Sequence, residues 1–259
     1  MAFVEIKPKE WYIKQKKLTD KWYKMLGENV TFMHGAENFE PVYPYINPQF
    51  RFTSRFFKVV WHLSDEQTLV ELSALDENKN TCYMTDKKCE LVVKTTHDEF
   101  RIYYSDNIFF KNGKLQYWIY AQFKDFVEKI AQRVLPDRFH YWENKKQLFV
   151  EALTLDWDNR AIGRCYGENR INLSPYLVIY PLAEIDMTIL HELAHLKFMH
   201  HRTTFWRYLS VLSGEEDAKA VDEICRMFFA DRNKCYRYVY EGLDWVYSTS
   251  KKKKHHSAI

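Results

Sequence analysis

The segment from Ile185 to Trp206, IDMTILHELAHLKFMHHRTTFW, holds the residues of this chain best suited to chemistry. His191, Glu192 and His195 stand in an HExxH arrangement, and His201 follows six positions after His195. In a helix, residues four apart lie about 40° from one another around the axis, so both imidazoles leave the same face. Placed so, they can reach one divalent ion at nitrogen–metal distances of about 2.0–2.1 Å. Glu192 flanks that face, where a carboxylate can accept a proton from an activated water instead of binding the ion. Ile185, Ile189, Leu193 and Leu196, at spacings of 4, 4 and 3, form the other side, so the helix has a buried stripe and a ligand face. With 10 histidines in the chain, an accidental HExxH is expected roughly 0.03 times, and one with His201 at its spacing about 0.001 times.

A catalytic site of this kind needs a third protein ligand. His201 has the offset found in zinc endopeptidases of the HExxHxxGxxH type, whose glycine turns the chain back toward the metal. Phe198 stands at the glycine position here, so the turn must be made differently. His200 is the neighbouring alternative, and Asp222 or Glu223, on a later helix, are the distant acidic ones. Imidazole ligands suit Zn2+, one ion per chain, and also accept other divalent metals.

Several elements must position these groups. Residues 8–26 predict an amphipathic helix through Trp11, Leu18, Trp22 and Met25, with Gly27 as a stop. Pro41, Pro44 and Pro48 then predict an extended connector. From about 50 to 120 the runs FRFTSRFFKVVWHL, ELVVKTT and FRIYYS predict strands. NIFFK and KLQYWIY, flanking Asn112-Gly113, predict a hairpin with a type I′ turn. AQFKDFVEKIAQRVL predicts a helix that Pro136 ends, LFVEALTLDW a strand, and Arg170 to Leu173 a short strand with an edge open to an extended peptide. The ligand helix is expected from about 181 to 199, two more within 203–233, and another over 236–247. The change of pattern puts a boundary near residue 120. It divides the chain into a helix plus strand-rich region over 1–120, a second domain over 121–248 and a basic, disordered tail over 249–259.

Composition narrows the reading. Only 7 glycines are present and neither GxGxxG nor GxxxxGK(S/T) occurs, which argues against nucleotide folds built on clustered glycines. With 46% hydrophobic and 17% aromatic residues the chain can bury a core. The net charge of +3 is mild, and Lys251 to Lys254 concentrate it in a solvated tail. The five cysteines, Cys82, Cys89, Cys165, Cys225 and Cys235, are odd in number and form no CxxC. Without an apolar leader or a span of about 18 apolar residues, they predict a cytoplasmic protein with free thiols and no membrane contact. Cys165 reads as a structural thiol, and His34, His62, His97 and His140 as isolated structural histidines.

The run from Ile162 to Leu209, with its GxC strand, a following short strand, a proline-led helix bearing HELAHL and then Phe205-Trp206, resembles the YgjP-like metallopeptidases, relatives of the SprT-like and WLM-type zinc proteases. The resemblance covers roughly residues 122–212. It implies an α+β, zincin-like metallopeptidase domain over 121–248 with an HExxH active-site helix, preceded by the aromatic, strand-rich region. It also implies His191, His195 and His201 as zinc ligands, Glu192 as catalytic base, and Phe205 and Trp206 as packing beneath the site. The chain departs from the family at Ile162-Gly163-Arg164-Cys165, where Trp-Gly-Ser-Cys is typical, and at His200, where Asn precedes the third histidine. The expected activity is peptide-bond hydrolysis, with a peptide or protein as partner. Two other readings stand beside it. The same activated water would serve a non-peptide substrate such as a nucleotide, and a non-catalytic zinc module could bind nucleic acid or protein. Peptide cleavage, nucleotide hydrolysis and salt-sensitive binding without turnover separate the three.

Overall fold

The aromatic and β-branched runs of the first half fold into a six-stranded sheet in a computed structural model that describes residues 9–27, 31–33, 46–48, 50–75, 81–86, 88–157 and 162–232. Its strands are β1 (Thr31–Met33), β2 (Arg51–Thr53), β3 (Lys58–Leu63), β4 (Cys82–Thr85), β5 (Lys88–Thr95) and β6 (Glu99–Tyr104), in the order β1-β2-β3-β6-β5-β4. Neighbours are antiparallel except β3 and β6, which run parallel. Between β3 and β4 lies a helix that the strand-dominated pattern concealed, α2 (Glu66–Ala74). Asp65 starts it by accepting the Thr68 N–H at 2.8 Å. Its Leu69 seals a small cluster with Cys89 and Val92 on the back of the sheet. Cys82 and Cys89, brought together on adjacent strands, form a disulfide. The expectation of free thiols therefore fails for this pair and holds for Cys165 and Cys225.

The expected hairpin at Asn112-Gly113 is instead the start of α1's long successor in the core, α3 (Gly113–Lys146), counting α1 as Lys9–Gly27. Asn112 accepts the N–H groups of Lys114 and Leu115, because the residue type that suits a tight turn suits a helix N-cap equally. Read at helical spacing, Leu115, Ile119, Phe123 and Phe126 form one buried face. Phe123 and Phe126 meet Phe57 and Phe100 of the sheet region at ring-centroid distances of 5.2–5.9 Å. Pro136 does not end the helix but lies inside it. Proline removes one backbone donor, and the fully buried Leu135 and Phe139 on either side hold the rod through that point. A boundary at residue 120 thus falls within α3, whose apolar face joins one continuous core with the six-stranded sheet, the second sheet and the ligand helix.

The second sheet contains β7 (Ala152–Leu155), β8 (Gly163–Tyr166) and β9 (Arg170–Leu173) in the order β7-β9-β8. The strand Arg170–Leu173 was expected to present an edge, yet it is central, parallel to β7 and antiparallel to β8. Its Ile171 and Leu173 are fully buried, which is why it lies inside, and β8 becomes an outer strand. A 3-10 turn over Pro175–Ile179 leads to α4 (Leu182–His195), α5 (Thr203–Ser213) and α6 (Ala218–Arg232). The expected helix over 236–247, the tail and most of the proline-rich connector lie outside the described residues. No helix among the described residues is long and apolar enough to cross a membrane.

Helix α1 packs Leu18, Trp22 and Met25 into a second core with α4, α5 and α6. At that junction Glu184 of α4 has one carboxylate oxygen sealed from solvent with no hydrogen-bond partner among the described residues, as has the indole nitrogen of Trp22. Burial pushes the Glu184 carboxyl up to about 7, the Cys225 thiol of α6 opposes this by hydrogen bonding to it, and Asp222 adds to the rise. The folded protein thus keeps a proton on Glu184 between about 4.5 and about 7, where the unfolded chain has lost it. Stability contributed in mild acid therefore falls as pH rises through that window. Glu184→Gln is expected to flatten this fall and to stabilise the protein at pH 8 by on the order of 2 kcal/mol. Urea unfolding at pH 5 and pH 8 checks it; a steeper pH dependence in the variant would contradict the assignment.

Candidate metal centre

The ligand helix is held by contacts made before its first histidine. Asp186, one turn and a half upstream of His191, receives both Nε and Nη2 of Arg138 and, at 2.9 Å, the indole N–H of Trp142, all from α3. Ile185, Ile189 and Leu193 are fully buried in the main core, as their spacing predicts. With that stripe fixed, His191, Glu192 and His195 emerge together at the C-terminal end of α4.

The helix stops at His195, four residues short of the expected end, and this early stop lets His201 return. Lys197 and Phe198 both donate to the Ala194 carbonyl, closing tight turns that replace a glycine. Phe198 then packs on Tyr208 with ring centroids 5.6 Å apart. The indole N–H of Trp206 donates to the His201 carbonyl at 3.0 Å, fastening the returning segment to α5. His191 Nε2 and His201 Nε2 are 2.8 Å apart, and one ligand atom from each of His191, His195 and His201 lies within 4.8 Å of the others. Phe205, fully buried, lies beneath all three, its ring 4.6–4.8 Å from each imidazole.

Among the alternatives, His200 is exposed and its Nδ1 accepts the Arg202 N–H. Glu223 is exposed on α6, and Asp222 acts on Glu184 and Cys225. Among the described residues, only the three histidines form a group able to hold an ion.

The three histidines fit a divalent metal ion by chemistry as well as by proximity. Burial, with His195 and His201 adjacent, presses the His191 imidazole down to about 3, so it stays neutral and keeps a lone pair for a metal. Burial lowers His195 as well. The Phe198 carbonyl, 2.8 Å from His195 Nδ1, can only accept, so Nδ1 carries the proton and Nε2 is left as the donor atom to a metal.

Glu192 is buried against β8. The backbone N–H of Cys165 donates to its carboxylate, Arg164 favours its charge, and burial outweighs both and pushes it up to about 7. Gly163 makes the fit: an added Cβ would lie 2.8 Å from both Cγ and Oε1 of Glu192. Sequence reading assigned no role to Gly163 or to the Cys165 backbone. The available signal was a lone glycine in a short strand of a glycine-poor chain, which marks a close approach. The Cys165 thiol is pushed up to about 11 by burial and by Glu192, which suits the structural role expected of it.

A three-histidine cluster at the end of a buried helix, with a carboxylate lodged between that helix and a strand, places the chain in the class of mixed α+β proteins with a potential catalytic metal centre. The sequence model of the YgjP-like metallopeptidase domain matches residues 63–219, more than half of the chain, so the protein belongs to the YgjP-like metallopeptidase family. The match begins on β3, well before the segment that carries the motif resemblance. No curated protein and no solved structure matches the chain significantly.

Proposed function

We propose that this protein is a zinc-dependent peptidase with a zincin-like active site, in which His191, His195 and His201 hold the ion and Glu192 is the general base. The observation that carries the reading is the convergence of three imidazoles beside a carboxylate that β8 holds in place. A zinc ion bound there would supply Lewis acidity, lowering the pKa of a water toward about 7 and polarising a substrate carbonyl. Glu192 takes a proton from the attacking water and passes it to the leaving amine nitrogen. The Cys165 N–H keeps the carboxylate pointed while it does so. An extended peptide adds along the outer strand β8, so that its carbonyls pass above the triad. Phe205 keeps the floor of the site dry and limits motion of the imidazoles.

Elemental analysis of tag-free, chelator-washed protein tests the ligand set. The wild type is expected to retain about one zinc per chain, and His201→Ala to retain far less. A peptide-library digest should show cleavage that a chelator stops and added zinc restores. Metal-free wild-type protein that takes up no zinc, or zinc retained fully by His201→Ala, would remove the three-histidine assignment.

A further inference from the structure

The concave surface around the triad continues beyond it. From His201 a groove of about 910 Å3 follows the outer face of α5 as far as the start of α6. Thr203, Trp206, Arg207, Ser210 and Val211 come to that face at helical spacing, while Phe205, Leu209 and Leu212 bury the opposite one. From Thr203 to Val211 the helix rises about 12 Å, the length of three to four extended peptide residues at about 3.3 Å each.

Its charges are unbalanced. Arg202, Arg207 and Lys219 line the groove, and their side chains have no ion pair or hydrogen bond among the described residues. Both acids on the wall are already engaged. Glu216 is ion-paired with Lys14 of α1, and Asp217 accepts the Ala220 N–H at 3.0 Å, where the N-terminus of α6 offsets its charge. Three cations are thus left facing solvent beside the metal triad. At the triad end Trp206, pinned to the His201 carbonyl, offers a flat apolar wall.

We propose that this groove is a substrate subsite for acidic segments: carboxylate side chains on one side of the scissile bond lie against Arg202, Arg207 and Lys219, and Trp206 packs on the intervening chain. The assignment rests on the peptidase reading above, because the groove begins at a residue of the metal triad. A peptide fits better than a nucleic-acid strand. Three cations spread over the length of three to four extended peptide residues match acidic side chains that alternate with neutral ones, whereas a nucleic-acid strand needs a longer, continuous positive track.

Binding is measured with the full chain bearing Glu192→Gln, which prevents turnover, and two fluorescein-labelled decapeptides that differ only in alternating Glu or Gln. At about 50 mM salt the Glu peptide should bind about tenfold more tightly, since exposed ion pairs contribute modestly each. The preference should shrink to within about twofold in Arg202→Gln/Arg207→Gln/Lys219→Gln and at about 0.5 M salt. If the triple variant misfolds, Arg207→Gln and Lys219→Gln singly should each lower the preference about two- to threefold. Equal affinity for the two peptides, no binding of the Glu peptide, or a preference that survives the substitutions would overturn the proposal. So would tighter binding of a single-stranded DNA decamer through the same three residues. Digestion of both peptides by the wild type reports on the underlying reading: no cleavage of either, with the binding preference intact, sinks the peptidase and leaves an acidic-ligand site.

Discussion

Glu192→Gln should retain the metal of the wild type and lose about 10²- to 10⁴-fold in kcat/KM toward a peptide, the range a positioned general base contributes. The substitution preserves shape. The amide oxygen of glutamine can still accept the Cys165 N–H, so the side chain has every reason to stay between α4 and β8. What it cannot do is take a proton from water. The triad is untouched, and metal content measured beside activity separates loss of the base from loss of the ion. Activity at the wild-type level would remove Glu192 from the reaction, and a metal-free variant would mean that its carboxylate supports the ligands instead.

The second large effect should come from a residue with no side chain. In Gly163→Ala the new methyl would lie 2.8 Å from Glu192 Cγ and Oε1, closer than two such atoms approach, so the carboxylate must leave its place. A displacement of about 1 Å at a reacting group can cost about 100-fold in rate, and a similar loss in kcat is expected here. Overpacking should also cost about 1–3 kcal/mol of stability, small enough to leave the protein folded. Two controls isolate the cause. Gly167→Ala, where an added Cβ meets nothing within 4 Å, should stay close to wild type in activity. Adding Gly163→Ala to Glu192→Gln should lower the residual rate little further, because both changes act through one carboxylate. A fully additive loss would place the role of Gly163 elsewhere.

Legibility in the sequence differs from element to element, and the differences have physical causes. The ligand helix is plain because its two faces differ in chemistry at a fixed period: Ile185, Ile189 and Leu193 on one side, His191 and His195 on the other. Helix α1 is legible for the same reason, its apolar residues recurring at helical spacing, and strands β5 and β6 through their runs of β-branched and aromatic residues. The start of α3 is not. Asn112-Gly113 satisfies both a hairpin and a helix cap, and only burial of Leu115, Ile119 and Phe123 against residues far away in the chain decides for the helix. Pro136 misleads similarly, because the local cost of a missing donor is outweighed by packing on either side. The short α2 lacked enough turns to show a period within a strand-rich stretch.

By itself, then, the sequence determined which groups can do chemistry here: two imidazoles one turn apart, a carboxylate beside them and a small set of third partners. Spacing along one helix is a local property, so it can be read without knowing the fold. Which third partner arrives was decided by tertiary structure, through the turn at Ala194 and the hold of Trp206 on the His201 carbonyl. Tertiary structure also decided that Glu192 lies under Gly163 and the Cys165 N–H, and that β8, rather than β9, is the outer strand above the site. Gly163 and Cys165 lie 29 and 27 positions before Glu192, and the contacts that return His201 are short turns, so no periodicity connects any of them; burial of Ile171, Leu173 and Phe205 brings the strands and helices that carry them together.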